Sequence, residues 1–284
     1  MSPWLTLSVA VVFVSFGAIL VRVAAAPALA VAFYRVALAS LILLPFATRD
    51  AGRSWPALDP RRRLLLVAAG LALALHFATW IASLSYTSVA SSVLLVNTAP
   101  LFTLLLSELF LGERTPAAVK AALPLALVGA ALIAFGDWTG SPGSLLGNAL
   151  AVAGAVMVAA YQVIGRAQRA ALPLNAYVLA VWASAALALA AMALGFGVPL
   201  GGYGRRTWMA FVALAVVPTI GGHGLVNKSL RSLPAPTVGL FLLGEPVLAS
   251  LFAWMLFAEA PGPWTLAGGV VVLSALGLVL ARRG

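Results

Sequence analysis

The sequence predicts an all-α, polytopic membrane protein of ten transmembrane helices arranged as two inverted five-helix repeats. Three observations predict it. Of 284 residues, 63% are hydrophobic and only 8% are Asp, Glu, Lys or Arg, against about 25% charged in an ordinary soluble domain. The apolar residues fall into ten runs, each close to the roughly 20 residues that a helix needs to cross a bilayer. The basic residues alternate in abundance from one end of these runs to the other.

The ten spans are expected at 3–23, 29–48, 64–86, 89–111, 117–137, 144–166, 174–197, 206–229, 233–257 and 263–282. The first could be mistaken for a signal peptide because of Ala24, Ala25 and Ala26. It lacks a basic leading segment and exceeds the apolar length of such peptides, so a retained helix is expected. The second carries Arg35 and is followed by a polar, basic loop at 49–63, the longest connection. The third bears a polar and aromatic stripe, and the fourth holds Pro100 and Glu108. The fifth has a small-residue face of Ala122, Ala126, Gly129, Ala130 and Ala134; with Gly143 and Gly147 around the start of the sixth, it marks close helix contacts within one chain. Pro27, Pro116, Pro142, Pro173, Pro199, Pro234 and Pro263 punctuate the connections, where a helix cannot continue backwards through the ring. Pro218 interrupts the eighth span and Pro246 the ninth; with Pro100 they are expected helix kinks. Trp4, Trp138, Trp208 and Trp264 stand at span ends, suited to the headgroup layer. Trp80, Trp182 and Trp254 lie within spans.

A formal net charge of +10 invites a nucleic-acid reading, but the charges form no single basic face. Thirteen of the 17 Lys and Arg residues follow even-numbered runs, including Arg61, Arg62 and Arg63; Arg22, Arg205 and Arg206 follow odd-numbered ones. That distribution is the positive-inside pattern, which puts both termini in the cytoplasm and removes the case for nucleic acid. With no Cys, disulfides and thiolate metal sites are excluded.

The halves, 1–139 and 140–284, meet near a turn at 140–143. Pro100 and Pro246 are separated by 146 residues, and so are Glu113 and Glu259. Five helices per half is an odd number, so the second half is expected to be inverted relative to the first.

The run from Pro100 through Glu108 to Leu111, Gly112, Glu113 and Arg114, with Gly244, Glu245 and Pro246 leading to Glu259, resembles the two halves of the drug/metabolite transporter superfamily, EamA type. Arg35 fits the same likeness, which covers the whole chain. Within the superfamily the chain looks most like the YddG branch of aromatic amino-acid exporters. The resemblance implies a ten-helix inverted repeat with cytoplasmic termini in a plasma (inner) membrane, exporting amino acids, possibly aromatic ones.

Ionisable groups at mid-membrane depth cost about 2.5 to 3.5 kcal/mol on insertion scales, which makes them functional candidates. Arg35 and Glu108 lie toward span ends, where snorkelling or structural pairing is the expected role. In the third span His76, Trp80, Ser83 and Tyr86 or Thr87, with Thr79 alongside, recur at helical spacing. They line a cavity or, alternatively, form a hydrogen-bonded packing face. In the eighth, Thr219, His223 and Asn227 recur every four residues around Pro218 and Gly221, Gly222 and Gly224. An interrupted helix there lines a cavity; a glycine-rich packing site is the competing reading. Glu245 has Ala99 as its counterpart 146 residues earlier, so the carboxylate is not repeated. It either binds an ammonium when ionised or stays protonated as a hydrogen-bond donor. The expected substrate lining is thus His76, Trp80, Ser83, Tyr86, His223, Asn227 and Glu245.

No phosphate-binding loop, no H-E-x-x-H and only three Asp are present, so neither an ATP motor, a metal site nor a cofactor is expected. An intramembrane hydrolase would need a nucleophile beside a base. His76 with Ser83 is the nearest pair, without a third member, so an enzyme is the remote alternative. The leading expectation is a secondary transporter working by alternating access on a small solute such as an amino acid, as a monomer. A broad-specificity drug or metabolite exporter is the runner-up.

Overall fold

A computed structural model describes residues 1–86, 92, 95–136, 145–257 and 262–281. Among these residues every regular element is helical. Eight helical segments are long and apolar enough to cross a membrane, and two shorter apolar helices accompany them at Ala99–Leu111 and Ala117–Leu132. The expected ten therefore stand as eight full-length spans and two shorter helices among the described residues. Trp138, Thr87, Glu259 and the turn at 140–143 lie outside them.

The chain is a multi-pass membrane protein, and its surface is built for lipid. Leu41, Phe110, Leu187 and Met255 are each more than 60% exposed, a distribution that water would penalise and hydrocarbon does not. Inside, one apolar cluster gathers Phe77, Trp80, Tyr161, Tyr177, Trp182 and Phe211. A second gathers Leu7, Leu123, Val163, Leu230, Phe241 and Val272. Small residues let the helices approach closely. A methyl group on Gly129 would stand 2.8 Å from the Gly268 carbonyl oxygen and from Val272, so Ala117–Gly136 and Pro263–Ala281 touch almost backbone to backbone. The small-residue face of the fifth span is thereby used within the chain: Ala122, Ala126 and Ala130 are buried.

Helix ends depart from expectation where polarity was read as loop. The second span runs as one helix over Ala28–Ser54 and the third as Pro60–Ser83. The connection shrinks to 55–59, and Arg61, Arg62 and Arg63 belong to a helix. Asp59 caps it, accepting from the Arg62 backbone N–H at 2.8 Å, with Pro60 in the first turn. A helix satisfies its own backbone, so it can leave the hydrocarbon layer and continue among charged residues. The segments following runs two, four, six and eight meet at one end of the bundle. There Trp55 donates to the Ala176 carbonyl, Arg166 pairs with Glu113 at 2.8 Å, and the same Arg166 donates to the carbonyls of Leu230 and Arg231.

Candidate functional site

Among the described residues four spans are interrupted in mid-course. The first breaks at Ser15–Phe16, between Pro3–Val14 and Gly17–Ala24. The fourth turns at Asn97–Thr98 before Ala99–Leu111. The eighth passes from Arg205–Leu214 through a π-helix, Ala215–His223, into Gly224–Ser229. The ninth breaks at Leu243–Gly244, between Ala235–Leu242 and Glu245–Phe257.

Local chemistry explains each interruption. Pro100 and Pro246 occupy the first turn of the helix that follows the break, where the missing N–H costs no hydrogen bond. They mark full breaks rather than kinks in a continuous helix. Pro218 sits inside the π-helix, whose wider turn accommodates the lost donor. Ser15 donates its hydroxyl to the Val11 carbonyl at 2.7 Å and reaches the Glu245 carbonyl at 3.4 Å, tying the first break to the ninth.

The four interruptions converge on one cavity of about 130 Å³, room for roughly ten water-sized spheres. Val14, Gly17 and Ala18 face it from the first span, Asn97, Ala99 and Pro100 from the fourth, His223 and Val226 from the eighth, and Leu242, Glu245 and Pro246 from the ninth. Arg35, His76, Phe77, Trp80, Val158 and Gln162 close the remaining walls. Broken helices at membrane depth are tolerated where the freed backbone is buried in protein or lines a cavity.

The side chains are held in place. His76 Nδ1 lies 2.9 Å from the Gly154 carbonyl oxygen. A carbonyl only accepts, so Nδ1 carries the proton, and a neutral ring keeps its acceptor at Nε2. That contact depends on Gly154, where a methyl group would stand 3.2 Å from Thr79 Oγ1 and 3.3 Å from Trp80 Cβ. The His76 and Trp80 rings lie parallel within 4°, with centroids 6.0 Å apart. His223 meets the Phe77 ring edge-on at 5.5 Å. Arg35 places its guanidinium 4.0 Å above the Phe77 ring and donates from Nε to Thr219 Oγ1 at 3.2 Å. Arg35 and Glu245 lie within electrostatic range of one another.

Of the seven expected lining residues, the cavity brings together His76, Trp80, His223 and Glu245. Ser83 is fully buried against Ser92 Oγ at 2.6 Å and the Trp80 carbonyl at 2.7 Å, outside the lining. Tyr86 lies beyond the C-terminal end of its helix and is half-exposed, because Pro60–Ser83 ends before the stripe does. Asn227 stands behind His223, donating to its carbonyl at 2.7 Å and to the Tyr161 hydroxyl. The π-helix turns the stripe of Thr219, His223 and Asn227 out of common register. Arg35, for which a structural role was expected, stands in the lining: its helix starts at Ala28, which puts Arg35 about 10 Å along the axis and inside the bundle. Glu108 does serve a structural pairing, 2.7 Å from Lys120. Phe77, Gln162 and Asn97 carried no distinguishing sequence signal. Among the described residues no group of three His, Cys, Asp or Glu is placed to hold a metal ion.

The EamA-like transporter family profile matches residues 2–135 and 145–281, nearly the whole chain. The chain belongs to the EamA-like transporter family. Among its relatives is the pseudopaline exporter CntI of Pseudomonas aeruginosa, 28% identical over 91% of this chain and 88% of that protein. The riboflavin transporter of Rhizobium johnstonii is 28% identical over 88% of this chain and 80% of its own length. A probable terminal-alkyne amino-acid exporter of Streptantibioticus cattleyicolor is 28% identical over 66% and 63% respectively. A crystal structure at 20% identity superposes with a TM-score of 0.81 over 99% of this chain and 98% of the other, a likeness of fold alone. This EamA-like protein is accordingly a membrane transporter.

Proposed function

We propose that the protein exports a small metabolite of the amino-acid class by alternating access, binding it in the cavity where the four interrupted spans meet. One observation carries this reading: the breaks of the first, fourth, eighth and ninth spans all open onto one cavity, the arrangement in which a transporter bundle holds its cargo near the midplane. Glu245 receives an ammonium group, and the parallel rings of His76 and Trp80 give a flat wall to an apolar or aromatic side chain. The named cargo of the Streptantibioticus relative supports an amino-acid substrate. In this reading the chain forms ten spans as two inverted repeats, with both termini and the segment around Arg61, Arg62 and Arg63 in the cytoplasm, in a plasma (inner) membrane.

Purified protein in liposomes loaded with each labelled amino acid tests it. Efflux of at least one, competed by its unlabelled form, is expected; no flux of any, under proton gradients of either sign, overturns it. The second reading, a broad-specificity metabolite exporter, is favoured by the riboflavin carried by the Rhizobium relative. Competition of amino-acid efflux by unrelated flat metabolites would select it.

A further inference from the structure

We infer that Arg35 is the anion subsite of this cavity and that it restricts cargo to molecules bearing a carboxylate, an inference that rests on the transport reading above. Arg35 is 2% exposed and lies in the cavity wall. Among the described residues only its Nε is hydrogen-bonded, to Thr219 Oγ1. That hydroxyl gives its own proton to the Leu214 carbonyl at 2.8 Å, so it is left as an acceptor for the Nε–H. The remaining four guanidinium N–H donors have no partner among the described residues, and no carboxylate among them comes within the 4.0 Å of an ion pair.

The guanidinium carbon stands 4.0 Å from the Phe77 ring centroid, which holds the head group in the cavity wall with its remaining N–H donors left for a ligand. A buried charge without a contacting counter-charge is costly. A carboxylate that enters the cavity removes that cost by accepting two parallel hydrogen bonds, which the planar fork of Arg donates in better geometry than a point charge would. Glu245, in electrostatic range but not in contact, is the complementary group for an ammonium on the same molecule. The two charges therefore fit a zwitterion, and Thr219 on the π-helix is the positioning residue that aims the fork.

The test compares one amino acid with two molecules that each lack one charge. Wild-type protein in liposomes is first screened with the twenty amino acids, and the best substrate is then set against its decarboxylated amine and its deaminated acid; for phenylalanine these are phenethylamine and 3-phenylpropionate. The amine is expected to compete about tenfold to a hundredfold more weakly than the amino acid, the loss of one charge-assisted interaction. Equal competition by the amine overturns the subsite while leaving the transport reading intact; absence of flux for all twenty overturns both. Arg35→Lys, which keeps the charge and loses the fork, is expected to raise KM with a smaller change in kcat. Thr219→Val is expected to raise KM in the same way and Thr219→Ser to restore it. Unchanged KM in properly inserted Arg35→Lys and Thr219→Val proteins would make Arg35 a buried counter-charge for Glu245 and nothing more.

Discussion

The helices Ala99–Leu111 and Glu245–Phe257 begin in the same way and differ at one atom group that matters. Both are thirteen residues long, both follow a break, and both carry proline at the second position. Both present their first residues to the cavity. In one the first residue is Ala99, a methyl group among apolar neighbours; in the other it is Glu245. The backbone device that opens a span is thus present twice, while the ionisable group is present once. A cavity lined symmetrically would hold its cargo in two orientations, whereas in the proposed site one carboxylate and one guanidinium would admit a polar molecule in a single direction.

The largest expected effect comes from erasing the difference. Glu245→Gln should reduce amino-acid efflux from proteoliposomes about tenfold to a hundredfold, since a charged hydrogen bond is lost at a buried site. Wild-type rates would separate the ninth-span break from substrate binding. Copying the carboxylate to the other break, Ala99→Glu, should weaken amino-acid binding by about tenfold, because Arg35 gains a competing partner and the cavity a second negative charge. Isothermal titration of detergent-purified protein measures it, and unchanged affinity would mean that the two breaks do not share one binding space.

A smaller effect tests the wall between them. Trp80→Ala should slow efflux of bulky aromatic amino acids several-fold more than that of alanine or glycine, because the ring stacked on His76 is the flat surface they would use. An equal loss for all substrates would assign Trp80 to packing. The smallest effect is expected where the two helices are alike. Pro100→Ala and Pro246→Ala should each cost only about 0.4–1 kcal/mol of stability, mainly through the freer unfolded chain, measured by thermal unfolding in detergent. A far larger loss at one of them would show that its proline, rather than the packing around the break, holds the helix open.

Much of the bundle was legible because bilayer thickness imposes one length on every apolar run. Its errors have physical causes. Arg49 and Arg53 looked like loop residues, yet the helix continues through them, since backbone satisfaction does not stop at the hydrocarbon edge. The break at Ser15–Phe16 has no proline to announce it; it rests on a serine hydroxyl bonded to Val11 and to Glu245, 230 residues away. Tyr86 was placed on a common stripe with His76 and Trp80 by a periodicity that ends with the helix at Ser83, and Ser83 itself is turned to Ser92 and the Trp80 carbonyl.

By itself the sequence determined the solvent, the approximate spans and the sites of weakened helix, because apolar length, proline and glycine act within a few residues of where they stand. Which of those weak points face one another was decided only by the tertiary structure. Arg35 acquires its direction from Thr219, 184 residues further along, and His76 acquires its tautomer from Gly154, 78 residues away. Helical periodicity says which residues share a face. It carries no information about which face of another helix they will meet, and a site assembled from several interrupted spans exists only in that meeting.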